Sequence, residues 1–276
     1  MTNQHSSDAY APREIASRVE SMGVAKAQAS TPTLLALAVL AGAFISLGGL
    51  FYLVVVTQSE LGLGITRLLG GISFSLGLIL VVVGGAELFT GNNLLAMAWA
   101  SGLIDLRAVL RNWALVYVGN VLGCLATVAF VVLSGVGSLG GDAVLQKAVA
   151  VATSKTDLSL SEAFARGVLC NALVCLAVWL AMGGRSVTDK VLGVVFPVAA
   201  FVAIGLEHSI ANWFFLPLGI ALGGAEAVSL TGAVWNLTAV TAGNIIGGTL
   251  LVASVYWVAY LRGTKHEADT RAKESK

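Results

Sequence analysis

Two apolar stretches of this chain carry the same interruption, and this repeat constrains the fold more than any other feature. The first interruption is Gly-Ala-Glu-Leu-Phe-Thr-Gly-Asn at 85–92, and the second is Gly-Leu-Glu-His-Ser-Ile-Ala-Asn at 205–212. Gly, Glu and Asn recur in the same register, about 120 residues apart. A second pair, Gly-Asn-x-x-Gly, follows at 119–123 and 243–247. The chain is therefore predicted to contain two structural repeats, each with an interrupted helix followed by a Gly-Asn helix.

The composition places these repeats in a membrane. Hydrophobic residues make up 57% of the chain and charged residues only 11%, whereas a soluble domain has roughly 25% charged residues. A membrane-spanning helix needs about 20 apolar residues. The sequence predicts an all-α membrane protein with six transmembrane helices, at 33–56, 68–100, 113–134, 162–181, 191–221 and 237–260.

The distribution of Lys and Arg predicts the orientation. If both termini are cytoplasmic, the inner side holds Arg13, Arg18, Lys26, Arg107, Arg111, Arg185, Lys190, Arg262, Lys265, Arg271, Lys273 and Lys276. The outer side then holds only Arg67, Lys147, Lys155 and Arg166. This asymmetry agrees with the excess of positive charge found in cytoplasmic loops. The formal net charge of +1 argues against a nucleic-acid partner.

The number of spans predicts how the repeats are related. Each half has three spans, an odd number, so the second half enters the membrane inverted relative to the first. Interrupted helices at matching places in two inverted halves are typical of a transporter or channel binding site. We predict a six-helix domain at 29–262, with repeats at about 29–140 and 155–262.

The segments outside this domain are more polar. Residues 1–28 form a cytoplasmic leader with an amphipathic helix, whose apolar face includes Ile15, Val19 and Met22. Two interpretations remain open: the helix lies on the membrane surface, or it docks on the underside of the six-helix domain. Residues 263–276 form a charged cytoplasmic tail.

The cysteines do not indicate a metal or redox site. Cys124, Cys170 and Cys175 lie in apolar stretches, and their spacing matches no such motif. We therefore predict that they are small buried hydrophobic residues. No cofactor is expected.

Glu87, Glu207 and His208 interrupt apolar runs that are otherwise free of charge, and they are the candidates for function because ionisable groups are costly in a membrane. Glu87 and Glu207 occupy matching positions, which favours a structural role in accepting bonds from backbone N–H groups freed by the breaks; the alternative is proton transport. His208 has no counterpart, since Leu88 stands in the first half. It is either a pore residue or a hydrogen-bonded core residue, and Thr90 in the opposing break offers it a hydroxyl partner.

The same residues carry a resemblance to the formate/nitrite transporter family. The matching segments are Gly-Gly-Ala-Glu-Leu-Phe-Thr-Gly-Asn at 84–92, Phe-Val-Ala-Ile-Gly-Leu-Glu-His-Ser-Ile-Ala-Asn at 201–212, Gly-Gly-Arg-Ser at 183–186 and Gly-Asn-Ile-Ile-Gly-Gly at 243–248. The likeness runs from about residue 10 to 262. It differs in the first break, which reads Thr-Gly-Asn-Asn where enterobacterial formate channels have Thr-Ser-Thr.

The resemblance implies a homopentamer of aquaporin-like protomers in the bacterial inner membrane, each with its own pore. It implies bidirectional passage of small monovalent anions: formate, nitrite, acetate, lactate or hydrosulfide. Residue by residue, it implies a central pore histidine at His208 facing Thr90, and an anion-attracting lysine at Lys155. It also implies a cytoplasmic constriction at Leu78 and Phe201, a periplasmic one at Leu88, and polar pore-lining residues at Asn171 and Asn244.

The expected function is passive or proton-coupled transport of formate. An anion between two apolar rings loses its water at high cost, and a weak-acid anion avoids this cost if it is protonated in transit. His208 is the side chain expected to lend such a proton near neutral pH; in the competing interpretation it polarises the anion without proton transfer. Nitrite passage is the alternative, and a non-transporting regulatory membrane subunit is the alternative from another class. A hydrolase is excluded, because no Ser, Asp or metal set accompanies the histidine.

Overall fold

The computed structural model describes residues 9–263, and helices are the only regular secondary structure within that range. The tail expected at 263–276 lies outside the described residues except for Gly263. The α-helices are α1 (Pro12–Gln28), α2 (Thr31–Val56), α3 (Gly62–Gly84), α4 (Leu95–Ala100), α5 (Leu106–Leu133), α6 (Leu139–Thr156), α7 (Leu160–Gly183), α8 (Val187–Ile204), α9 (Ser209–Gly223), α10 (Leu230–Ile246) and α11 (Ser254–Tyr260).

Within residues 9–263, six helical segments are long and apolar enough to cross a membrane, as the sequence predicts. They are Thr31–Val56, Gly62–Gly84, Leu106–Leu133, Leu160–Gly183, Val187–Ile204 and Leu230–Tyr260. The last of these passes from α10 through a π-helical segment, Gly247–Ala253, into α11. The prediction of an all-α, six-span membrane protein is confirmed.

Both interruptions are breaks in the helices. Helix α3 ends before Gly85 and α8 ends before Gly205, and these glycines have φ angles of 81° and 83°. This left-handed conformation costs little only for glycine. The spans expected at 68–100 and 191–221 are therefore each interrupted, with non-helical backbone at 85–90 and 205–208. After the first break, a 3₁₀ helix, Gly91–Leu94, leads into α4.

The connection between the halves contains a helix that the sequence did not indicate. The predicted spans, which end at 134 and resume at 162, place residues 135–161 in a loop, but α6 occupies Leu139–Thr156. The helix is too polar to resemble a span, so a search for apolar segments does not detect it. It is the counterpart of α1, because each helix precedes the first span of its half and has a lysine, Lys26 or Lys155, in its last turn.

The leader helix α1 packs against the protein. Ile15 and Val19 are buried in a cluster that includes Trp179 of α7. The Arg18 guanidinium donates to the carbonyl of Met182, with a donor–acceptor distance of 3.2 Å. Of the two interpretations of the leader, the structure favours docking on the six-helix domain.

The cysteines are buried in helices. The Cys124 Sγ lies 3.4 Å from the carbonyl oxygens of both Gly42 and Ile210, so its single S–H can donate to either one. Within residues 9–263, no group of three His, Cys, Asp or Glu side chains is arranged to hold a metal ion.

The second glycine of each Gly-Asn-x-x-Gly motif lets two helices touch. A Cβ atom on Gly123 of α5 would lie 2.0 Å from the carbonyl oxygen of Val39 on α2. A Cβ atom on Gly247 would lie 2.0 Å from the carbonyl oxygen of Val168 on α7. Both contacts are to backbone, which cannot move aside as a flexible side chain can. Small residues at such crossings are how membrane helices approach closely.

We predict that Gly123→Ala destabilises the fold by about 1–3 kcal/mol, because the added methyl group overpacks the α2–α5 crossing. The measurement is the thermal unfolding temperature of the purified protein in detergent. Gly64→Ala is the matched control, since a Cβ atom on Gly64 in α3 meets nothing within 4 Å. Equal unfolding temperatures for the two variants would contradict the close-packing argument.

Candidate functional site

The two breaks meet through one hydrogen bond between side chains. His208 Nε2 lies 2.9 Å from the hydroxyl oxygen of Thr90. Both side chains are buried, with 3% of His208 and none of Thr90 exposed. The structure thus brings together the two residues that the sequence paired, although they are 118 positions apart.

A second bond fixes the tautomer of the neutral histidine. His208 is the N-cap residue of α9, and its Nδ1 accepts from the backbone N–H of Ala211 at 3.1 Å. A nitrogen that accepts a hydrogen bond carries no hydrogen, so in the neutral ring the hydrogen is on Nε2. Nε2 is therefore the donor to the Thr90 oxygen. A second proton at Nδ1 would displace the cap from Ala211.

Aromatic residues form one wall beside the histidine. The Phe201 ring stacks on the His208 ring with a centroid distance of 6.1 Å and an interplanar angle of 14°. Phe74 contacts Phe201 edge to face at 5.8 Å. This wall is apolar up to the imidazole, so the wall itself offers an ion no polar group to replace lost water.

Two cavities lie on the two sides of the His208–Thr90 pair, one next to α1 and the other next to α6. The cavity next to α1 is about 190 Å³, and its lining includes Met22, Lys26 and Glu87. The cavity next to α6 is about 260 Å³, and its lining includes Lys155 and His208. We call them the α1-side cavity and the α6-side cavity.

The structure groups the apolar candidates differently from the expectation. Leu78 and Leu88 both line the α1-side cavity, whereas Phe201 lines the α6-side cavity with Phe74. The expected pairing of Leu78 with Phe201 opposite Leu88 is therefore wrong. The reason is geometric: Leu78 lies late in α3, near the break that carries Leu88, while Phe201 lies in α8, before the other break.

Each broken helix is held by a buried cluster of one lysine, one glutamate and two asparagines. In the first half, Lys26 Nζ lies 3.0 Å from Glu87 Oε1. Asn92 donates to Glu87 Oε2 at 2.7 Å and to the Asn112 side-chain oxygen at 2.9 Å. Asn112 in turn donates to the carbonyl of Lys26 at 3.2 Å. This cluster joins α1, the first break and α5.

The second half repeats the cluster. Lys155 Nζ lies 2.9 Å from Glu207 Oε1. Asn212 donates at 2.7 Å both to Glu207 Oε2 and to the Asn236 side-chain oxygen. Asn236 donates to the carbonyl of Lys155 at 2.9 Å. Lys155 thus lines a cavity, as an anion-attracting residue must, but its charge is balanced by Glu207.

The glutamates do not bind the freed backbone as expected. Asparagines do so instead: the N–H groups of Phe89 and Ser209 donate to the side-chain oxygens of Asn120 and Asn244, each at 2.9 Å. The carboxylates pair with lysine and asparagine side chains. The correction has a physical reason, since a buried carboxylate is best compensated by a cation, while an amide side chain can both accept and donate.

The two polar candidates Asn171 and Asn244 belong to the interior. Neither is among the residues that line the two cavities. Asn244 also donates to the carbonyls of Gly167 and Glu207, at 2.8 and 3.0 Å. Asn171 donates to the carbonyls of Thr90 and Asn244, at 3.3 and 2.6 Å. Both asparagines therefore hold backbone around the centre.

Sequence reasoning missed several members of the clusters. The charge pattern predicts for Lys26 only a place on the cytoplasmic side, and no sequence pattern singles out Asn112 or Asn236. The other two asparagines of the clusters, Asn92 and Asn212, could have been found from the sequence, because each one ends its copy of the interruption. A recurring polar residue in a buried repeat indicates a shared structural role.

We predict that Glu87→Gln destabilises the protein by about 3 kcal/mol, because it leaves the Lys26 ammonium buried without a counter-charge. The double variant Lys26→Met, Glu87→Gln is expected to recover more than half of the loss, since both charges are then absent. Thermal unfolding in detergent measures the two single variants, Glu87→Gln and Lys26→Met, and the double variant. If the double variant is destabilised by the sum of the two single effects, the ion pair is not the stabilising interaction.

The comparisons with known proteins agree with this architecture. The profile described as formate/nitrite transporter matches residues 13–258. Formate channel FocA of Escherichia coli (strain K12) is 41% identical over 277 residues, covering 94% of this chain and 97% of that protein. A probable formate transporter of Methanothermobacter thermautotrophicus is 38% identical, covering 91% and 97%.

Solved structures show the same fold. A structure described as a pentameric formate channel with formate bound matches with a TM-score of 0.78 and 39% identity, over 84% of this chain and 98% of that one. An FNT family ion channel matches with a TM-score of 0.82 and 28% identity, over 89% and 98%. The polar clusters, the paired breaks and the extent of these similarities lead to one conclusion: this chain belongs to the formate/nitrite transporter family.

Proposed function

We propose that this protein is a homopentameric channel that passes formate and related small monovalent anions in both directions. The single observation that carries the proposal is the His208–Thr90 hydrogen bond beside the α6-side cavity, at the meeting point of the two breaks. Relatives named formate channels support formate as the substrate. The pentameric relative supports an assembly of five copies.

The pore centre offers the anion two hydrogen-bond donors, the His208 Nε2–H and the Thr90 hydroxyl, in an apolar setting. An anion that passes between Leu88 and the Phe201 wall sheds water, and this loss is costly without a replacement partner. The Nε2–H of His208 is that partner, because it leaves Thr90 when a stronger, charged acceptor arrives. The Thr90 hydroxyl is then free to donate to the same anion.

Two modes of transport use the Nε2–H donor of His208. Passive passage needs only the Nε2–H bond to the anion. Proton-coupled passage needs in addition a proton at Nδ1, where it competes with the cap from the Ala211 N–H. The negative charge of the anion favours the charged ring. Loss of the cap opposes it by about 1 kcal/mol, the usual value of a helix cap.

We also propose that the protein lies in the bacterial inner membrane with the leader and tail in the cytoplasm. The excess of Lys and Arg on that side supports this orientation. The α1-side cavity then faces the cytoplasm, and the α6-side cavity faces the periplasm. Leu78 and Leu88 constrict the first, while Phe201 constricts the second.

We expect reconstituted protein to take up radiolabelled formate into proteoliposomes, and His208→Phe to abolish the proton-coupled part of this uptake. His208→Asn is the matched variant, because asparagine is a good N-cap and keeps α9 intact while removing the titratable ring. It should lose proton coupling with little loss of stability. A pH dye inside the liposomes measures the protons.

Several outcomes would contradict these expectations. Wild-type coupling in either His208 variant would exclude the relay through this ring. No formate flux through the wild-type protein would exclude the channel itself, while parallel assays with nitrite, acetate, lactate and hydrosulfide define its range.

Cysteine labelling in intact cells tests the orientation. The native cysteines are buried, so an impermeant maleimide should give little background. We predict that Gln146→Cys, at an exposed position on α6, is labelled from outside. Arg13→Cys, at an exposed position on α1, should react only after the membrane is permeabilised. The reverse pattern would invert the proposed topology.

A further inference from the structure

The α6-side cavity has an excess of positive charge that the α1-side cavity lacks. Arg67, Lys155 and Arg166 all line it, together with the carboxylate of Glu207. Glu207 lies 2.9 Å from Lys155 and balances that lysine. Two guanidinium groups remain. The α1-side cavity, by contrast, is lined by one cation and one carboxylate, which form an ion pair.

Both arginines contact the end of α8 at the second break. Arg67, in the first turns of α3, donates to the carbonyl of Ala203 at 3.0 Å. Arg166, on α7, donates to the carbonyl of Gly205 at 3.5 Å. These carbonyls are at the C-terminal end of α8, where a cation is favourable. Each guanidinium has five N–H donors, so one such bond leaves most of them unused.

No carboxylate in the described part of the chain forms an ion pair with either arginine within 4.0 Å. Glu162, one turn earlier on α7, interacts with Arg166 electrostatically without forming an ion pair within 4.0 Å. Its carboxylate is engaged by the hydroxyl of Ser159 at 2.7 Å and by the backbone N–H of Ser159 at 3.0 Å. Among the described residues, the two arginines therefore have no directly paired carboxylate, and both line the cavity.

The repeat shows that the fold does not require an arginine here. The backbone N–H of Glu207 donates to the carbonyl of Arg166, and the backbone N–H of Glu87 donates to the carbonyl of Leu37 in the same way. Leu37 is thus the structural counterpart of Arg166. The first break is built around Gly85 with a leucine at this place, so the charge of Arg166 is not needed to hold a break.

We propose that Arg67 and Arg166 form an anion-capture site at the α6-side mouth, which binds a small planar oxyanion, a carboxylate or nitrite, before it reaches His208. The inference rests on the proposed function. Guanidinium groups match such anions because two parallel N–H donors meet two oxygens. His208 lines the same cavity. An anion bound by the arginines is therefore already in the cavity that contains His208.

The site also assigns different tasks to the cations. Lys155 ties α6 to the second broken helix through Glu207, while the arginines hold unbalanced charge. A cavity with charge of one sign and low-dielectric walls concentrates the opposite ion. Capture at this mouth is therefore stronger than at the α1-side mouth, where Lys26 and Glu87 cancel.

The test is formate uptake by proteoliposomes as a function of formate concentration and ionic strength. Arg166→Leu, which installs the residue of the first half, is expected to raise the half-saturation concentration about threefold to tenfold at low salt, with the maximal rate unchanged. The deficit should shrink at 0.1 M salt and above, where screening acts over roughly 10 Å. Arg67→Met should act in the same direction.

Two further variants make the result specific. Arg166→Lys keeps the positive charge but loses the two parallel N–H donors of the guanidinium group, so it should show an intermediate half-saturation concentration. Lys147→Leu removes a cation of α6 that does not line the cavity, and it should behave as wild type. Unchanged half-saturation in Arg166→Leu and Arg67→Met would overturn the capture site.

A fall in maximal rate and unfolding temperature alone would also overturn the capture site, because it would reduce the arginines to helix caps. Wild-type protein without formate flux would instead refute the proposed function. The two failures are therefore distinguishable.

Discussion

The structure depends on one constraint: backbone polar groups inside a membrane must find partners within the protein. A continuous helix meets this demand by itself, but a helix that breaks at Gly85 or Gly205 does not. Asn120 and Asn244 supply the missing acceptors, and the Lys–Glu clusters fasten each break to a peripheral helix. The breaks are tolerated because amide and charged side chains replace water around them.

The repeat explains why this solution occurs twice. The same cluster of lysine, glutamate and two asparagines stabilises each half. In each cluster the lysine comes from a peripheral helix, α1 in the first half and α6 in the second. These peripheral helices are therefore part of the fold, because removing either one would leave a buried carboxylate without its cation. The two mouths of the candidate pore are built on the same plan as a consequence.

The differences between the halves are where the chemistry lies. His208 stands where the first half has Leu88, and Arg166 stands where it has Leu37. Asn171 is the equivalent of Gly42, since Asn171 lies five positions after Arg166 and Gly42 lies five positions after Leu37. A symmetric scaffold thus holds an asymmetric set of polar side chains, and only one break presents a titratable ring. The residues that recur in both halves stabilise the fold, whereas the residues that differ between the halves are the ones proposed to bind the anion.

The sequence by itself determined the six spans, because a span needs a long apolar segment. It determined the positions of both breaks, because each contains a glycine and a buried charge. It determined the inverted relation of the halves, because each half has an odd number of spans. It also selected Glu87, Glu207, His208 and Thr90, since polar groups in apolar stretches are costly and therefore conspicuous. The tertiary structure decided what these groups bind. Lys26 finds Glu87 across 61 positions, and Lys155 finds Glu207 across 52. Periodicity reports only local structure, so it predicted neither partner, nor that Leu78 lies with Leu88 rather than with Phe201. Side-chain partners that are distant in sequence are fixed only when the helices pack.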